Sequence, residues 1–222
     1  MPYLGVQPSR GLVGTAGIDA NAIDGTLTKD ALIADYSDVT ITAADLVMYG
    51  DATDSNNTKR DTVQGILDLA GGLTIATPQA TTSGTSFTFG SIPAGTKLIF
   101  VNFMGVSLDA NDMLIQIGDS GGIETSAYVS TGYEVETGDE SSSSSTAAFL
   151  IEIVHTNRII SGQMILTLEN SSSFNWVSSH TAKSLTGQMV TGGGEKSLSA
   201  ELTQVKISGG TFDAGEVSIS YM

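Results

Sequence analysis

Residues 114–128 read "LIQIGDSGGIETSAY", and the pentapeptide Gly118–Gly122 at their centre admits two opposed readings. In chymotrypsin-like serine proteases such a "GDSGG" carries the nucleophile. In an antiparallel β protein the same letters spell a tight turn between "LIQIG" and "IETSAY". Chain order separates the two. Chymotrypsin-like and subtilisin-like enzymes place the catalytic histidine before the serine. Here the two histidines, His155 and His180, both follow Ser120. The looser G-x-S-x-G elbow allows that order, but it needs a buried strand running into a helix, and "IETSAYVS" is strand-like. Gly118, Gly121 and Gly122 suit a turn that requires positive φ. The stretch predicts a hairpin.

Working outward, residues 81–222 repeat that pattern. "SFTFGSI", "KLIFVNFM", "MLIQIG", "AAFLIEIV", "MILTLEN", "FNWVSS", "SLSAELTQVKIS" and "EVSISYM" are β-rich runs. Turn clusters such as "PAGT", "LDAND", "NSSS" and "GGTFDAG" separate them. "SSSSS" (141–145) and "GGG" (192–194) read as exposed loops. Many short strands without a helical period predict an antiparallel β-sandwich of jelly-roll type over 81–222.

Residues 1–80 differ. "GLVGTAGIDANAIDGTLTKDALIADYSD" (11–38) has small residues and isolated aliphatics, too sparse to form a core. It predicts an extended region that either stays mobile or orders along a partner. Residues 45–72 are sharper and predict a short strand–turn–helix unit. "LVMYG" reads as a strand and "DATDSNN" as a polar turn, with Thr58 and Asp61 in the form of a capping box. Val63, Ile66, Leu67 and Ala70 then fall at i, i+3, i+4 and i+7 on one helical stripe, closed by Gly71-Gly72. Such a helix is marginal alone, so Val63, Ile66 and Leu67 are candidates for oligomer or particle packing.

Composition excludes several function classes. Of 222 residues, 24 are Asp or Glu and 9 are Lys or Arg, for a net charge of −15. A polyanion would be repelled, so no nucleic-acid partner is expected. Cysteine is absent, which leaves no disulfide or thiolate metal site. No basic-then-apolar leader opens the chain, and no run reaches the ~18 apolar residues of a membrane span, so neither secretion by a signal peptide nor membrane insertion is expected.

The remaining chemical candidates are weak in pattern. Asp51, Asp54 and Asn56 resemble part of a calcium loop but lack its continuation, and turn chemistry accounts for them. Glu134, Glu136 and Glu152 could supply a glycosidase pair, although no separation follows from sequence. No histidine pair has ligand spacing, so neither metal nor cofactor is expected. Trp176, the only tryptophan, reads first as a buried strand residue and second as an aromatic binding platform. Tyr128 and Tyr133 lie near a Ser/Gly-rich stretch and are candidate exposed contact residues.

Two parts of the chain carry a resemblance. "DVTITAADLVMYGDATDSNNTKRDTVQGILDLAGG" (38–72) is similar to strand–turn–helix units near the N-terminal parts of bacteriophage fibres. "SIPAGTKLIFVNFMGVSLDANDMLIQIGDSGGIETSAY" (91–128), "ISGQMILTLENSSSFNWVSS" (160–179) and "FDAGEVSISYM" (212–222) are similar to a C-terminal β-sandwich domain of phage tail proteins. The chain thus resembles a tail-fibre-like virion structural protein. The resemblance implies a homotrimer, attachment to other virion proteins through residues 1–80, and a domain over 81–222 that faces a host-surface glycan or protein. Its place would be the virion, assembled in the host cytoplasm. The chain is short for a fibre, which leaves a capsid-decorating or vertex-fibre role as the alternative and a glycan-cleaving virion enzyme as a further one.

Overall fold

The structure is a computed structural model that describes residues 40–69, 72–109, 112–136, 138–153, 158–185 and 188–222. The extended region expected over residues 1–39, together with Ala70, Gly71 and His155, lies outside them. The chain divides into two units, one up to Ile66 and one from Leu67 onward.

In the first unit, β1 (Leu46–Asp51) and β2 (Asn57–Thr62) form an antiparallel hairpin, Leu46 opposite Thr62 and Asp51 opposite Asn57. A single 3-10 turn, Ala52–Asp54, joins them. The expected strand and turn are present, but the helix starts later than the Thr58/Asp61 pair predicts. Thr58 and Asp61 sit in β2, where Thr58 faces Gly50 and Asp61 faces Val47. The helix α1 (Val63–Leu69) follows directly, and the hydroxyl that accepts from its first turn is that of Thr62, from Gly65 N at 3.0 Å. Pairing with an apolar partner strand outweighs the local capping signal. The order is therefore strand–turn–strand–helix, and the division between the two units falls within α1.

The second unit is an antiparallel β-sandwich. In chain order its strands are β3 (Thr74–Ile75), β4 (Gln79–Ala80), β5 (Ser86–Phe89), β6 (Leu98–Leu108), β7 (Asp112–Asp119) and β8 (Gly122–Ile123). There follow β9 (Val129–Glu136), β10 (Asp139–Ser145), β11 (Phe149–Glu152), β12 (Ile160–Asn170), β13 (Asn175–Leu185), β14 (Gln188–Ser197), β15 (Gln204–Ser208) and β16 (Phe212–Tyr221). The larger sheet runs β10-β9-β14-β13-β12-β6-β16-β3, with β4 also on β16. The smaller runs β11-β7-β15-β5, with β8 on β7. Three antiparallel pairs are nested in the sequence, β6 with β16, β7 with β15 and β9 with β14. They alternate larger, smaller, larger sheet, which is the winding of a jelly roll. Residues 74–80, placed in the first region by sequence, pair with β16 and belong to the sandwich.

Alternation builds the core. Ile99, Val101 and Phe103 of β6 face inward, as do Met164 and Leu166 of β12 and Val217 and Ile219 of β16. They meet Met113, Ile115 and Ile117 of β7, Phe149 and Ile151 of β11, and Val205 and Ile207 of β15 in one cluster. Each such side chain withdrawn from water contributes about 1.5–3 kcal/mol before entropy is counted.

Two expected loops are strands. "SSSSS" lies in β10, pairing with Ser130–Glu134 of β9. "GGG" lies within β14, between β13 and β9. At Gly192 a Cβ would collide with the Thr131 carbonyl oxygen and stand 2.5 Å from His180 Cε1. The glycine is there because its neighbours leave no room, not because the chain turns.

Candidate functional site

The "GDSGG" stretch is the β7–β8 hairpin, with Gly118 opposite Ile123 and Asp119 opposite Gly122. Gly122 takes φ +121°, while Ser120 sits exposed at the tip. The side chain that matters is Asp119, which is buried. Its carboxylate accepts Gly121 N at 2.7 Å, Ser199 Oγ at 2.6 Å, Ser199 N at 3.2 Å and Ala200 N at 3.1 Å. The Ser199 hydroxyl leads these donors in holding its pKa below the usual carboxylate value. Asp119 staples the 199–200 loop to the hairpin. His180 lies in the other sheet, buried in β13, so Ser120 has no imidazole beside it among the described residues.

The carboxylates proposed as a glycosidase pair are built into ion pairs. Arg158 Nε lies 2.9 Å from Glu134 Oε1 and its terminal nitrogen 2.7 Å from Glu136 Oε2. The Ser184 hydroxyl donates to Glu134 Oε1 at 2.5 Å. One buried guanidinium thus bridges two carboxylates of β9. Glu152 stands elsewhere, opposite Asp112 across the β11–β7 pairing, and accepts from Ser141 Oγ at 2.9 Å. Burial, then the Glu152 charge, raises the Asp112 pKa. Asp51 and Asp54 serve their turn: Asp51 accepts Thr53 N at 2.9 Å, and Asp54 pairs with Lys59 at 2.6 Å. Asn56 takes φ +61° in the same turn. Among the described residues no group of three or more His, Cys, Asp or Glu is placed to hold a metal.

The three aromatic candidates part company. Tyr128 is a core residue, contrary to the expectation of an exposed contact. Its hydroxyl accepts Ile117 N at 2.9 Å and lies 3.2 Å from the Ile117 and Glu124 carbonyls. The ring meets Phe149 edge-to-face at 5.0 Å. A Tyr in a Ser/Gly-rich context suggests a binding loop, but one phenol that satisfies a buried strand N–H is a stronger claim on the residue. Tyr133 is half-buried on β9, its hydroxyl donating to Glu140 Oε2 at 2.5 Å across the β9–β10 pair. That bond leads in raising the Tyr133 pKa. Trp176 is buried, 1% exposed, as its first reading has it.

Structure joins Trp176 and Tyr128 through a residue the sequence did not single out. Lys196 faces Trp176 across β13–β14. Its Nζ sits 5.3 Å from the centroid of the Tyr128 ring and 3.3 Å from Glu124 Oε2. A buried ammonium over an aromatic face is a favourable electrostatic contact. Two cavities, of about 150 and 210 Å³, have Trp176 among their lining residues. The Trp176 Nε1 is buried and finds no acceptor among the described residues.

The packing candidates divide as well. Val63 is half-buried, whereas Ile66 and Leu67 are exposed. On β1, Leu46, Val47, Met48 and Tyr49 are all exposed, Met48 at 76%. Successive strand residues point to opposite faces, so the hairpin shows apolar side chains on both.

The fold and these features define an all-β sandwich preceded by an apolar hairpin-and-helix unit, with its polar clusters engaged in structure. No protein-family model, curated protein or solved structure matches the chain. No described helix is long and apolar enough to cross a membrane.

Proposed function

We propose that the chain is a virion structural protein of the tail-fibre-like class. It would act as a homotrimer whose N-terminal region docks on other virion proteins and whose sandwich adheres to a host surface. The observation that carries this is the hairpin: every residue of β1 from Leu46 to Gly50 is exposed. A two-stranded hairpin with no buried face is at best marginally stable in water, and so is a seven-residue helix. Both gain order when a second surface covers Leu46, Met48, Tyr49 and Ile66. Neighbouring copies in an assembly supply such a surface without a separate partner gene product. The sandwich adds rigidity, and three weak sites on one trimer gain avidity from their linkage.

The carboxylate geometry favours adhesion over catalysis. Glu134 is locked by Arg158 and Ser184, and a general acid needs a proton to give rather than a guanidinium partner.

The test is the native mass of the purified chain by light scattering, followed by binding to host cells. A mass near three times 22.9 kDa with saturable cell binding is the expected result. A trimer with no affinity for cells, whose removal weakens the particle, would point to the capsid-decorating role instead. A stable monomer with a folded hairpin would overturn the assembly reading.

A further inference from the structure

The outer face of the larger sheet differs from the rest of the sandwich surface in charge and in polarity. On β9, β14, β13 and β12 the outward residues stand in register in four cross-strand rows, and β6 continues three of them. The two middle rows run from Tyr133 and Thr131 on β9 to Gln163 and Ile165 on β12 and carry no charge. Each outer row carries one charge: Lys183, opposite Met189, and Glu195, opposite Val177. Both are exposed and belong to no ion pair among the described residues. The area is therefore neutral on a chain of net charge −15. Glu140, Glu169 and Glu216 lie beyond its margins. It is also apolar. Val129, Val135, Val177 and Met189 are exposed here, whereas the smaller sheet exposes no large hydrophobic side chain among the described residues.

We propose that this face docks on the same face of a second copy of the chain, the two related by a two-fold axis that lies in the interface and runs across the strands. Chains of like net charge approach most easily through a neutral face, and a two-fold is the symmetry that sets a surface against itself. Stacked sheets pack about 10 Å apart with their strands within about 30° of each other. An axis across the strands lays each strand over its own copy with the ends exchanged. Lys183 then stands over Val177 of the second copy, beside Glu195 of that copy on the neighbouring strand, and the pair occurs twice. An axis along β13, the middle of the five strands, would set Lys183 against itself, a like-charge contact that disfavours it. In the middle rows Ser179, Thr181 and Gln163 each hold a donor and an acceptor, so each can pair with its own copy. Strands about 4.8 Å apart and rows about 6.8 Å apart give the face roughly 650 Å² on each copy. The total of roughly 1,300 Å² lies at the lower end for specific interfaces, so the contact is reversible.

This contact is separate from the hairpin and does not rest on the trimer: it pairs two trimers where they form and two single chains where they do not. Sedimentation equilibrium of the full chain from about 1 μM to about 1 mM, at about 0.1 M salt, tests it. The expected result is a doubling of mass, from three chains to six, with its midpoint at about 10–100 μM. Lys183→Glu and Glu195→Lys, both at exposed positions and checked for fold by circular dichroism, should each raise that midpoint about tenfold or more. Glu195→Lys lowers the net charge and would tighten association if overall repulsion alone governed it. The double variant carrying both substitutions exchanges the two partners and should restore the midpoint to within about threefold of wild type. A mass that does not double by about 1 mM would overturn the proposal. So would a doubling that neither single substitution weakens, or a double variant no tighter than the single ones. Three chains that never double would sink the face and leave the trimer standing; a doubling from one chain to two would do the reverse.

Discussion

His180 shows how little of a residue's role its identity discloses. Both ring nitrogens are buried without partners among the described residues, and burial pushes its pKa down to about 4. Above pH 6.5 the imidazole is neutral in both folded and unfolded chains, and stability does not depend on it. As pH falls from 6.5 toward 4 the unfolded chain takes up a proton that the folded chain refuses, so stability declines by up to about 3 kcal/mol. Asp112, with its raised pKa, works in the opposite sense, because the folded chain takes up its proton first. The Asp119 contribution is lost only below the ordinary carboxylate value, outside this window. Urea midpoints at pH 7 and pH 4.5 for wild type and His180→Leu would isolate the histidine. The wild type should lose more stability than the variant between those pH values; equal losses would mean that the imidazole is protonated in the fold. Legibility at this scale followed burial. Trp176 was readable because a large aromatic in a strand has an obvious place. Tyr128, Asp119 and Lys196 were not, since each owes its role to a partner that the fold, not the local sequence, brings to it: Ile117, Ser199 and Glu124.

At the scale of elements, the apolar strands declared themselves and the small-residue strands did not. β6, β7, β11, β12 and β16 carry alternating or continuous aliphatics that mark a half-buried or buried strand. β10 and β14 carry serine and glycine, which favour turns when judged locally. Their pairing is instead dictated by β9, which lies between them and presents Ser130, Gly132 and Glu134 to the interior. Gly192 tests whether close approach is the cause. Gly192→Ala places a methyl against Thr131 O and His180 Cε1 and should cost about 1–3 kcal/mol by overpacking. Gly90→Ala meets nothing within 4 Å and should change stability by less than about 0.5 kcal/mol. Denaturant unfolding of the two variants beside wild type decides it. Similar losses at both positions would return "GGG" to the status of a loop that merely lies beside its neighbours. The helix start failed for a related reason: Thr58 and Asp61 fit a cap, but the tertiary pairing of β2 with β1 claims them first.

For the whole molecule, the proposed assembly has to bring together chains that each carry −15. Like-charged protomers repel over a distance set by salt, about 30 Å at 0.01 M and about 10 Å at 0.1 M. In the proposed assembly, contacts through Leu46, Met48, Tyr49 and Ile66 would be apolar and would not weaken as salt rises. Assembly through the hairpin therefore has a signature opposite to that of an ion-paired interface: it should tighten as salt increases from 0.01 to 0.1 M. Sedimentation equilibrium across that range measures the dissociation directly. Met48→Asp supplies the matched control. Met48 is exposed in the single chain, so the substitution should leave the unfolding of the sandwich unchanged. In an assembly it removes about 2 kcal/mol of apolar burial per protomer and adds three like charges to one trimer. The expected outcome is a shift of mass toward the protomer, strongest at low salt. A trimer that loosens with salt, or one indifferent to aspartate at position 48, would place the subunit contact elsewhere and leave the exposed hairpin to a partner other than this chain.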